Sequence, residues 1–317
     1  MARRVPKAFA QAVAAHRNRL QSLVTRQGVR QLKSVYDAAQ AKLTSQIARA
    51  VRANRGDSFS AYQMRVAQAQ LRQGQALIAK RMAGDMGPLS KQAQEAALNG
   101  LIDDVARLSR AFTGSEVTLP IDEAARFAGV VDARRSSLMK MHQNSMARYG
   151  ANIVQQAEHR MAVSLLTGES SSATMDAVAS LIDGEWWQGE RIVRTEMAFA
   201  FNAAHYDGIK ESGDEVPELK QRWEENCNDA GLPLDDRVAV DSIAMHGQVT
   251  EAGGLFTMPR TAPFPDAKGK TQVPEHLVGE QWPFPPNRPN DRSVLSPWMA
   301  DWGVPGWRYV GGRRVPM

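Results

Sequence analysis

Proline and tryptophan are confined almost entirely to the second half of the chain, and this partition constrains the fold more than any other feature of the sequence. Thirteen of the sixteen prolines lie at or beyond Pro217, and all seven tryptophans lie at or beyond Trp186. Proline interrupts helix interiors and sheet ladders, whereas the first 180 residues are rich in the helix formers Ala, Gln, Arg and Leu. The partition predicts an α+β protein: an extended, mainly α-helical N-terminal region, then a small, loop-rich mixed α/β C-terminal domain.

The spacing of apolar residues predicts where the helices lie. Between Phe9 and Val51 apolar residues recur three, four or seven positions apart, which indicates one long helix or two helices broken near Gly28. Further helices are predicted over about 60–83, 94–112, 120–167 and 186–212. The last of these is expected to turn Trp187 to its apolar side.

Local signals mark where helices begin and end. Ser60 and Gln63 have the spacing of a capping box, which indicates a helix start. The glycines and proline at 84–88 are expected to interrupt the helical pattern. Gly168 and the serines at 170–172 predict a turn before the next helix.

Strand-like patterns begin only after Val216. Short strands are predicted over 219–225, 237–245 and 255–257. Beyond Pro259 the many prolines predict loops, which large aromatic side chains are expected to pin to a small core. The sequence therefore predicts two parts, a helical region over 1–180 and a C-terminal domain over 185–317.

Charge divides the chain in a similar way. Residues 1–110 contain 19 Lys and Arg against 6 Asp and Glu, whereas residues 181–317 contain 14 against 21. The basic excess either solvates long exposed helices or faces a polyanion such as packaged DNA or an acidic partner. Opposite charges on the two ends are also suited to head-to-tail self-association.

Cysteine content and hydropathy limit the compartment. The single cysteine, Cys227, excludes an internal disulfide and a cysteine-based zinc cluster, and it fits a reducing cytosol. No window contains the 18 or more apolar residues that a membrane span needs. The basic N-terminus is followed by a short, interrupted apolar stretch, which predicts an amphipathic helix and no signal peptide.

The familiar catalytic motifs are missing from the sequence. It contains no phosphate-binding glycine loop, no HExxH segment and no nucleophile elbow. Asp236 with His246 could form a metal pair, and His276 with Asn287 or Asn290 could extend it. Because their spacing fits no metal-site template, ordinary loop hydrogen bonds explain these residues better.

An ordered series of short motifs runs through the last 130 residues. An Arg-Thr-Glu segment and an asparagine on one helix precede a tryptophan, an Asp-Asp-Arg segment, a His-Gly pair and an Asn-Asp-Arg segment that follows a proline-rich loop. The residues are Arg194, Thr195, Glu196, Asn202, Trp223, Asp236, Arg237, His246, Gly247, Asn290 and Arg292. Their order and spacing resemble the Mu-F-like phage head morphogenesis domain over roughly 185–295, about a third of the chain.

Two features depart from the pattern of that family. The interval from Asp236 to His246 is longer than usual, and the segment 290–293 lacks both cysteines of the family's terminal motif. Any metal-binding role of those cysteines therefore has no counterpart here. Polar side chains of these types hold loops together by hydrogen bonds, so the motif residues are predicted to be structural, with no catalytic, cofactor-binding or metal-binding residue.

The resemblance implies a structural minor head protein of a tailed phage that acts in capsid assembly, and not an enzyme. The expected location is the virion head, assembled in the host cytoplasm, with several copies of the chain and no cofactor. Expected partners are the portal protein and/or the major capsid protein, together with packaged double-stranded DNA along residues 1–110, and no membrane. Two alternatives stay open: a metal-dependent nuclease or transferase in the C-terminal domain, and a DNA-packaging factor absent from the mature particle.

Overall fold

The computed structural model describes residues 7–23, 28–53, 58–113, 123–214, 216–225, 238–289, 291–299, 307–310 and 313–316. Within these ranges the helices are α1 (Lys7–Gln21), α2 (Val29–Arg52), α3 (Ala61–Thr113), α4 (Glu123–Thr167), α5 (Ser171–Gly184), α6 (Trp186–Gly213) and α7 (Val240–Met245). The strands are β1 (Leu219–Glu224), β2 (Val249–Glu251), β3 (Phe256–Thr257), β4 (Gln281–Trp282), β5 (Val294–Met299), β6 (Trp307–Val310) and β7 (Arg313–Pro316). A short 3-10 helix covers Glu275–Leu277. Helices dominate the N-terminal region and strands follow them, so the predicted α+β class is confirmed.

The break between α1 and α2 and the start of α3 agree with the sequence patterns. The apolar stripe from Phe9 to Val51 forms two helices, α1 and α2, so of the two expected arrangements the broken one is found. The capping box is also confirmed, because Ser60 N donates to Gln63 Oε1 at 2.8 Å and Gln63 N donates to Ser60 Oγ at 3.2 Å. Gln63 Nε2 also donates to Val51 O at 3.0 Å, which ties the start of α3 to the end of α2.

The predicted interruption at 84–88 is wrong, since α3 runs unbroken through 53 residues with Pro88 inside it. Proline removes one helical hydrogen bond, to the carbonyl of the residue four positions earlier, which here is Gly84. Gly84 and Pro88 are both exposed, so water can reach the freed carbonyl. Met82 and Met86 are fully buried on the opposite face. Their burial outweighs the local helix-breaking tendency.

The serines at 170–172 begin a helix that the sequence patterns did not predict. Ser170 is the N-cap of α5, and its hydroxyl accepts from Ala173 N at 3.2 Å. The following α6 confirms the predicted helix, but Trp187 is 56% exposed and Trp186 is buried. Trp186 lies seven residues before the buried Val193 and so shares its face. No helix in the described ranges is long and apolar enough to cross a membrane.

The strands form small antiparallel sheets. β1 lies between β2 and β5 in a three-stranded sheet, while β3 pairs with β4 and β6 pairs with β7. Pro297 lies in β5, an edge strand, where a missing N–H is tolerated. The predictions of strands at 219–225 and 255–257 are confirmed. The strand predicted over 237–245 is wrong, because 240–245 forms a short helix whose six residues are all buried.

The described chain divides into two compact units that are not continuous in sequence. Unit 1 contains Met1–Val24, Ser90–Arg135 and Met197–Met317, and unit 2 contains Thr25–Leu89 and Ser136–Glu196. Three of the four boundaries fall within α3, α4 and α6, and the one in α3 lies next to Pro88. The predicted functional division into 1–180 and 185–317 stays a prediction.

Aromatic side chains organise the core of unit 2. The ring of Tyr36 on α2 lies 5.0 Å from that of Trp186 and 5.9 Å from that of Tyr149. The Tyr36 hydroxyl donates to Ile182 O at 3.2 Å, and the Tyr149 hydroxyl donates to Glu185 O at 3.1 Å. Both phenols are therefore satisfied within an otherwise apolar core. These contacts join α2, α4, α5 and α6.

Unit 1 joins α1 and the second half of α3 to the end of α6 and the main sheet. Leu98 and Leu101 of α3 are fully buried, and a Cβ added to Gly208 of α6 would lie 2.8–2.9 Å from their methyl groups. Glycine therefore allows α3 and α6 to approach closely. Phe9 of α1 packs edge-on against Trp298 of β5, with ring centroids 4.9 Å apart. The predicted motif residues from Asn202 onward lie in this unit.

Candidate functional site

Asn202 links the middle of α6 to the start of β5. Its Oδ1 accepts from Leu295 N at 2.9 Å, and its Nδ2 donates to Ser293 O at 3.2 Å and to Ala198 O at 3.1 Å. The side chain is fully buried. An amide offers an acceptor and donors on one short side chain, so it satisfies two backbone groups that helix and sheet leave unpaired. Aspartate lacks the donor, and an aliphatic residue lacks both.

Trp223 and Gly247, two further motif residues, meet at the backbone. Gly247 N donates to Trp223 O at 2.8 Å, and Trp223 N donates to Gln248 O at 3.0 Å. Gly247 has a φ of 80°, in the left-handed region that favours glycine. The fully buried Trp223 ring packs edge-on against Phe256, with centroids 5.4 Å apart. The tryptophan therefore anchors the turn after α7 and the strand β3 to the main sheet.

His246 acts as a neutral hydrogen-bond acceptor. Its Nδ1 accepts from Glu225 N at 3.1 Å. Burial, together with the nearby cations Arg222 and Arg17, lowers the pKa of His246 to about 4. The imidazole is therefore uncharged near neutral pH, with its proton on Nε2. The ring thereby fixes the backbone at the end of β1.

Arg222 forms the next layer of the same cluster. Its guanidinium lies over the rings of Trp298 and Phe9, 4.9 and 5.3 Å from their centroids. Its Nε lies 2.6 Å from Glu224 Oε1. Burial raises the pKa of Glu224, while Arg222 and Arg17 act in the opposite direction. The cation is thus held between two aromatic faces and one buried carboxyl group.

A second carboxyl pair closes the loop that precedes β5. Ser293 Oγ lies 2.7 Å from Glu225 Oε2 and 2.6 Å from Asp291 Oδ1. A hydroxyl carries one proton and can donate to only one of them, so the other contact requires a protonated carboxyl group. Burial, and then the nearby Glu225, raises the pKa of Asp291 to about 7. Asp291 also accepts from Ser293 N at 2.9 Å and Asn287 N at 3.1 Å, which fixes the turn.

The Arg-Thr-Glu segment lies at the end of α6 that belongs to unit 2. Arg194 pairs with Glu190 one turn earlier, and the Thr195 hydroxyl donates to Arg191 O at 2.8 Å. Glu196 contacts Nδ1 of His142 on α4, and both side chains are buried. Each of the three thus has a partner within a helix or between the helices of its own unit.

Of the four remaining motif residues, the structure describes one. Asp236, Arg237 and Asn290 lie outside the described residues, and Arg292 is half-buried. Five residues of the cluster were not among the predicted site residues, namely Arg222, Glu224, Glu225, Asp291 and Ser293. Asp291 and Ser293 belong to the segment 290–293, but nothing in the sequence pairs them with Glu225, which lies 68 positions before Ser293.

A separate polar cluster lies between α1, α3 and α6 in unit 1. The rings of His16 and His205 are 4.3 Å apart and nearly perpendicular, and Asp104 Oδ2 lies 3.6 Å from His16 Nδ1. Arg19 and Arg107 approach Asp104 at 3.0 and 2.7 Å. Burial lowers the pKa of His205 to about 3 and that of His16 well below its usual value. Both imidazoles are therefore neutral parts of the core.

Metal binding by the residues that the sequence suggested finds no geometric support in the described ranges. There, no group of three or more His, Cys, Asp or Glu side chains is placed to hold a metal ion. His246 is occupied by its hydrogen bond, and His276 is exposed on the 3-10 helix. Asp236 and Asn290 lie outside the described residues, whereas Asn287 contributes its backbone N–H to Asp291.

Comparison of the chain with protein-family models, with curated proteins and with solved structures finds no match in any of the three.

Proposed function

We propose that this chain is a structural minor head protein of a tailed phage, acting in capsid assembly in contact with the portal and/or packaged DNA. The basis is the ordered series of motifs in the last 130 residues, which resembles the Mu-F-like head morphogenesis domain. The proposal places several copies in the virion head and assigns no catalysis to the motif residues.

The observation that carries the proposal is the bonding of Asn202 to Ser293 and Leu295. Asn202 stands near the beginning of the motif series, and the two backbone groups directly follow its last segment. A single buried amide therefore ties the helix that opens the series to the backbone at the start of β5. Such an arrangement supports the interpretation that the motif maintains a fold.

The other motif residues support a structural role in the same way. Trp223 and Gly247 share a backbone hydrogen bond, and His246 accepts from the backbone N–H of Glu225. A general base or metal ligand needs a free, accessible nitrogen. The Nδ1 atom of His246 is committed to the backbone, and its low pKa suits a packing residue better than a proton carrier at neutral pH.

Mass spectrometry of purified, nuclease-treated particles tests the proposal. The particles would come from the phage or prophage that carries the gene, and isotope-labelled peptides would give the copy number. We expect several copies per head, and a null allele should reduce the yield of filled heads. A protein abundant in the lysate but absent from mature particles would refute the proposal and support the packaging-factor alternative.

The enzyme alternative has its own test. Purified full-length protein would be incubated with duplex DNA and Mg²⁺, Mn²⁺ or Zn²⁺, alongside Asp236→Ala and His246→Asn variants. We expect no cleavage by any of the three proteins. Metal-dependent cleavage by the wild type that both substitutions abolish would instead establish a nuclease in the C-terminal region.

A further inference from the structure

Three buried side chains of unit 1 meet where β1 ends and β5 begins. Glu225, Asp291 and Ser293 are 2, 3 and 0% exposed. The Ser293 hydroxyl lies 2.7 Å from Glu225 Oε2 and 2.6 Å from Asp291 Oδ1, so it bridges the two carboxyl groups. Both carboxyl groups are therefore shielded from bulk water. We name these three residues the carboxyl latch.

The bridge fixes the number of protons in the carboxyl latch. A serine hydroxyl donates one hydrogen bond, whereas ionised carboxylates only accept. Two hydrogen bonds at Ser293 therefore require one further proton on Asp291 or Glu225. Two carboxylates in one buried site also repel each other strongly, because the local dielectric constant is low. Geometry and charge thus both favour a pair that keeps one proton.

Arg288 is a cation that acts on Asp291 from the loop before it. Its Nε donates to Ser242 Oγ at 3.1 Å and lies 3.5 Å from Asp241 Oδ1, so α7 shares this cation. Burial first, and then Glu225, outweigh the cation and raise the pKa of Asp291 from its ordinary value of 3.8 to about 7. The proton of the carboxyl latch is therefore lost near neutral pH.

The charged groups on the β1 side are bonded to the backbone or to each other. The Arg17 guanidinium of α1 donates to the carbonyl oxygen of Glu225, and Glu225 N donates to His246 Nδ1. Arg222 pairs with Glu224. Burial, together with nearby cations, lowers the pKa of His246 to about 4. A pH change near neutrality therefore acts on the carboxyl latch and not on this imidazole.

The carboxyl latch holds the turn that precedes β5. The Asp291 side chain accepts from Asn287 N at 3.1 Å and from Ser293 N at 2.9 Å. Ser293 O in turn accepts from Asn202 Nδ2 of α6 at 3.2 Å. If the proton leaves, two carboxylates face one hydroxyl, and moving Asp291 into water relieves their repulsion. That movement would loosen the connection between α6 and the start of β5.

We propose that the carboxyl latch is a proton-controlled switch, which closes the turn before β5 while it holds a proton and releases the turn when the proton is lost. In the open turn Asp291 is in water and has an ordinary carboxyl pKa. A carboxyl group whose pKa is raised in the closed state stabilises that state at low pH. Closure should therefore weaken as the pH rises from about 4 to about 7, and level off above pH 7.

Tryptic cleavage of the full-length protein after Arg292 measures this opening. Arg292 is half-buried and the bond to be cut leads into the fully buried Ser293, so cleavage needs an open turn. Lys268 and Lys270 are exposed and supply a reference rate that cancels the pH dependence of the protease. Mass spectrometry of the first products gives the ratio of the two rates. We expect this ratio to rise about 30-fold between pH 5.5 and pH 8, and to level off above pH 7.

Three single substitutions of equal charge change sharpen the comparison. Glu225→Gln supplies an amide donor to Ser293 and leaves one ionised carboxyl group, so most of the response should disappear. Asp291→Asn removes the titrating group, so its cleavage ratio should not depend on pH. Glu280→Gln removes an exposed carboxyl group of the same unit and should respond like the wild type. Circular dichroism and thermal midpoints at pH 5.5 verify that the variants fold.

A direct titration distinguishes the switch from a general loss of stability. Carbon-13 NMR of full-length protein labelled at the aspartate carboxyl carbons follows the ionisation of Asp291, whose signal is identified by its absence from Asp291→Asn. We expect a midpoint near pH 7 in the wild type. In Glu225→Gln the midpoint should be lower, because the neighbouring negative charge is gone.

Three results would overturn the inference. A wild-type cleavage ratio that is constant from pH 5.5 to pH 8, or an Asp291 midpoint near pH 4, would show that the carboxyl latch holds no proton near neutrality. Responses of equal size in Glu225→Gln and the wild type would show that the two carboxyl groups do not act together. Loss of the response in Glu280→Gln would assign it to overall charge. None of these results bears on whether the protein is found in particles.

Discussion

Replacing Asn202 by alanine should strongly destabilise unit 1, because its buried amide bonds two buried backbone groups. The change removes the acceptor for Leu295 N and the donor for Ser293 O, and both residues are fully buried. A buried backbone group left without a partner costs about 1–3 kcal/mol. Two such groups give an expected loss of about 2–6 kcal/mol. That is a large fraction of the roughly 5–15 kcal/mol by which domains are typically stable.

Urea unfolding, followed by far-ultraviolet circular dichroism and tryptophan fluorescence, measures this loss. Asn152→Ala is the matched control, because Asn152 bonds only the half-buried Gln188 side chain, at 3.0 Å, and water can replace that partner. The control should lose less than about 1 kcal/mol. Asn202→Asp should be at least as damaging as Asn202→Ala, since it places an acceptor against two carbonyl groups. A loss below about 1 kcal/mol for Asn202→Ala would refute the view that this amide holds β5 to α6.

Two further predictions concern the packing and the titration of unit 1 and of α3. Gly208→Ala should lower the free energy of unfolding by about 1–3 kcal/mol, because the added methyl group would overpack against Leu98 and Leu101. Gly84→Ala should stabilise α3 by up to about 1 kcal/mol, because nothing lies within 4 Å of the added Cβ. Equal effects of the two substitutions in thermal melts would contradict this contrast. For His246 the folded pKa of about 4 lies below the ordinary value of 6.5, so its contribution is fully present above pH 6.5 and is lost as the pH falls towards 4. His246→Asn keeps a hydrogen-bond acceptor but cannot take up the proton. The wild type should therefore gain about 3 kcal/mol more in unfolding free energy than the variant between pH 4 and pH 7.5. The same pH profile for both proteins would show that the imidazole is not held neutral.

Local patterns succeeded where the energy is local. The Ser60 and Gln63 capping box predicted the start of α3, and the alternating stretch around Trp223 predicted β1. They failed where burial outweighed propensity, as at Pro88 inside α3. The Trp187 error has a different cause. Adjacent helical residues point about 100° apart, and the seven-residue spacing to Val193 would have selected Trp186.

The candidate site was predicted in part. Asn202, Trp223, His246 and Gly247 were singled out by their order, and the structure gives each of them a specific contact. The pairing of Glu225 with Asp291 through a serine was not foreseen. A carboxyl group at the end of β1 and another in a loop have no local signature that relates them, because the sheet brings them together.

The sequence by itself determined the class of the fold, the positions of most helices and the polarity of charge along the chain. These follow from residue type and from periods of a few positions, which act within single helices and turns. Only the tertiary structure decided which residues share a unit, that α3 passes through Pro88, and that the pKa of Asp291 rises to about 7. Each of these depends on burial by residues distant in sequence. Burial changes the free energy of a side chain by more than the roughly 1 kcal/mol that separates most local propensities.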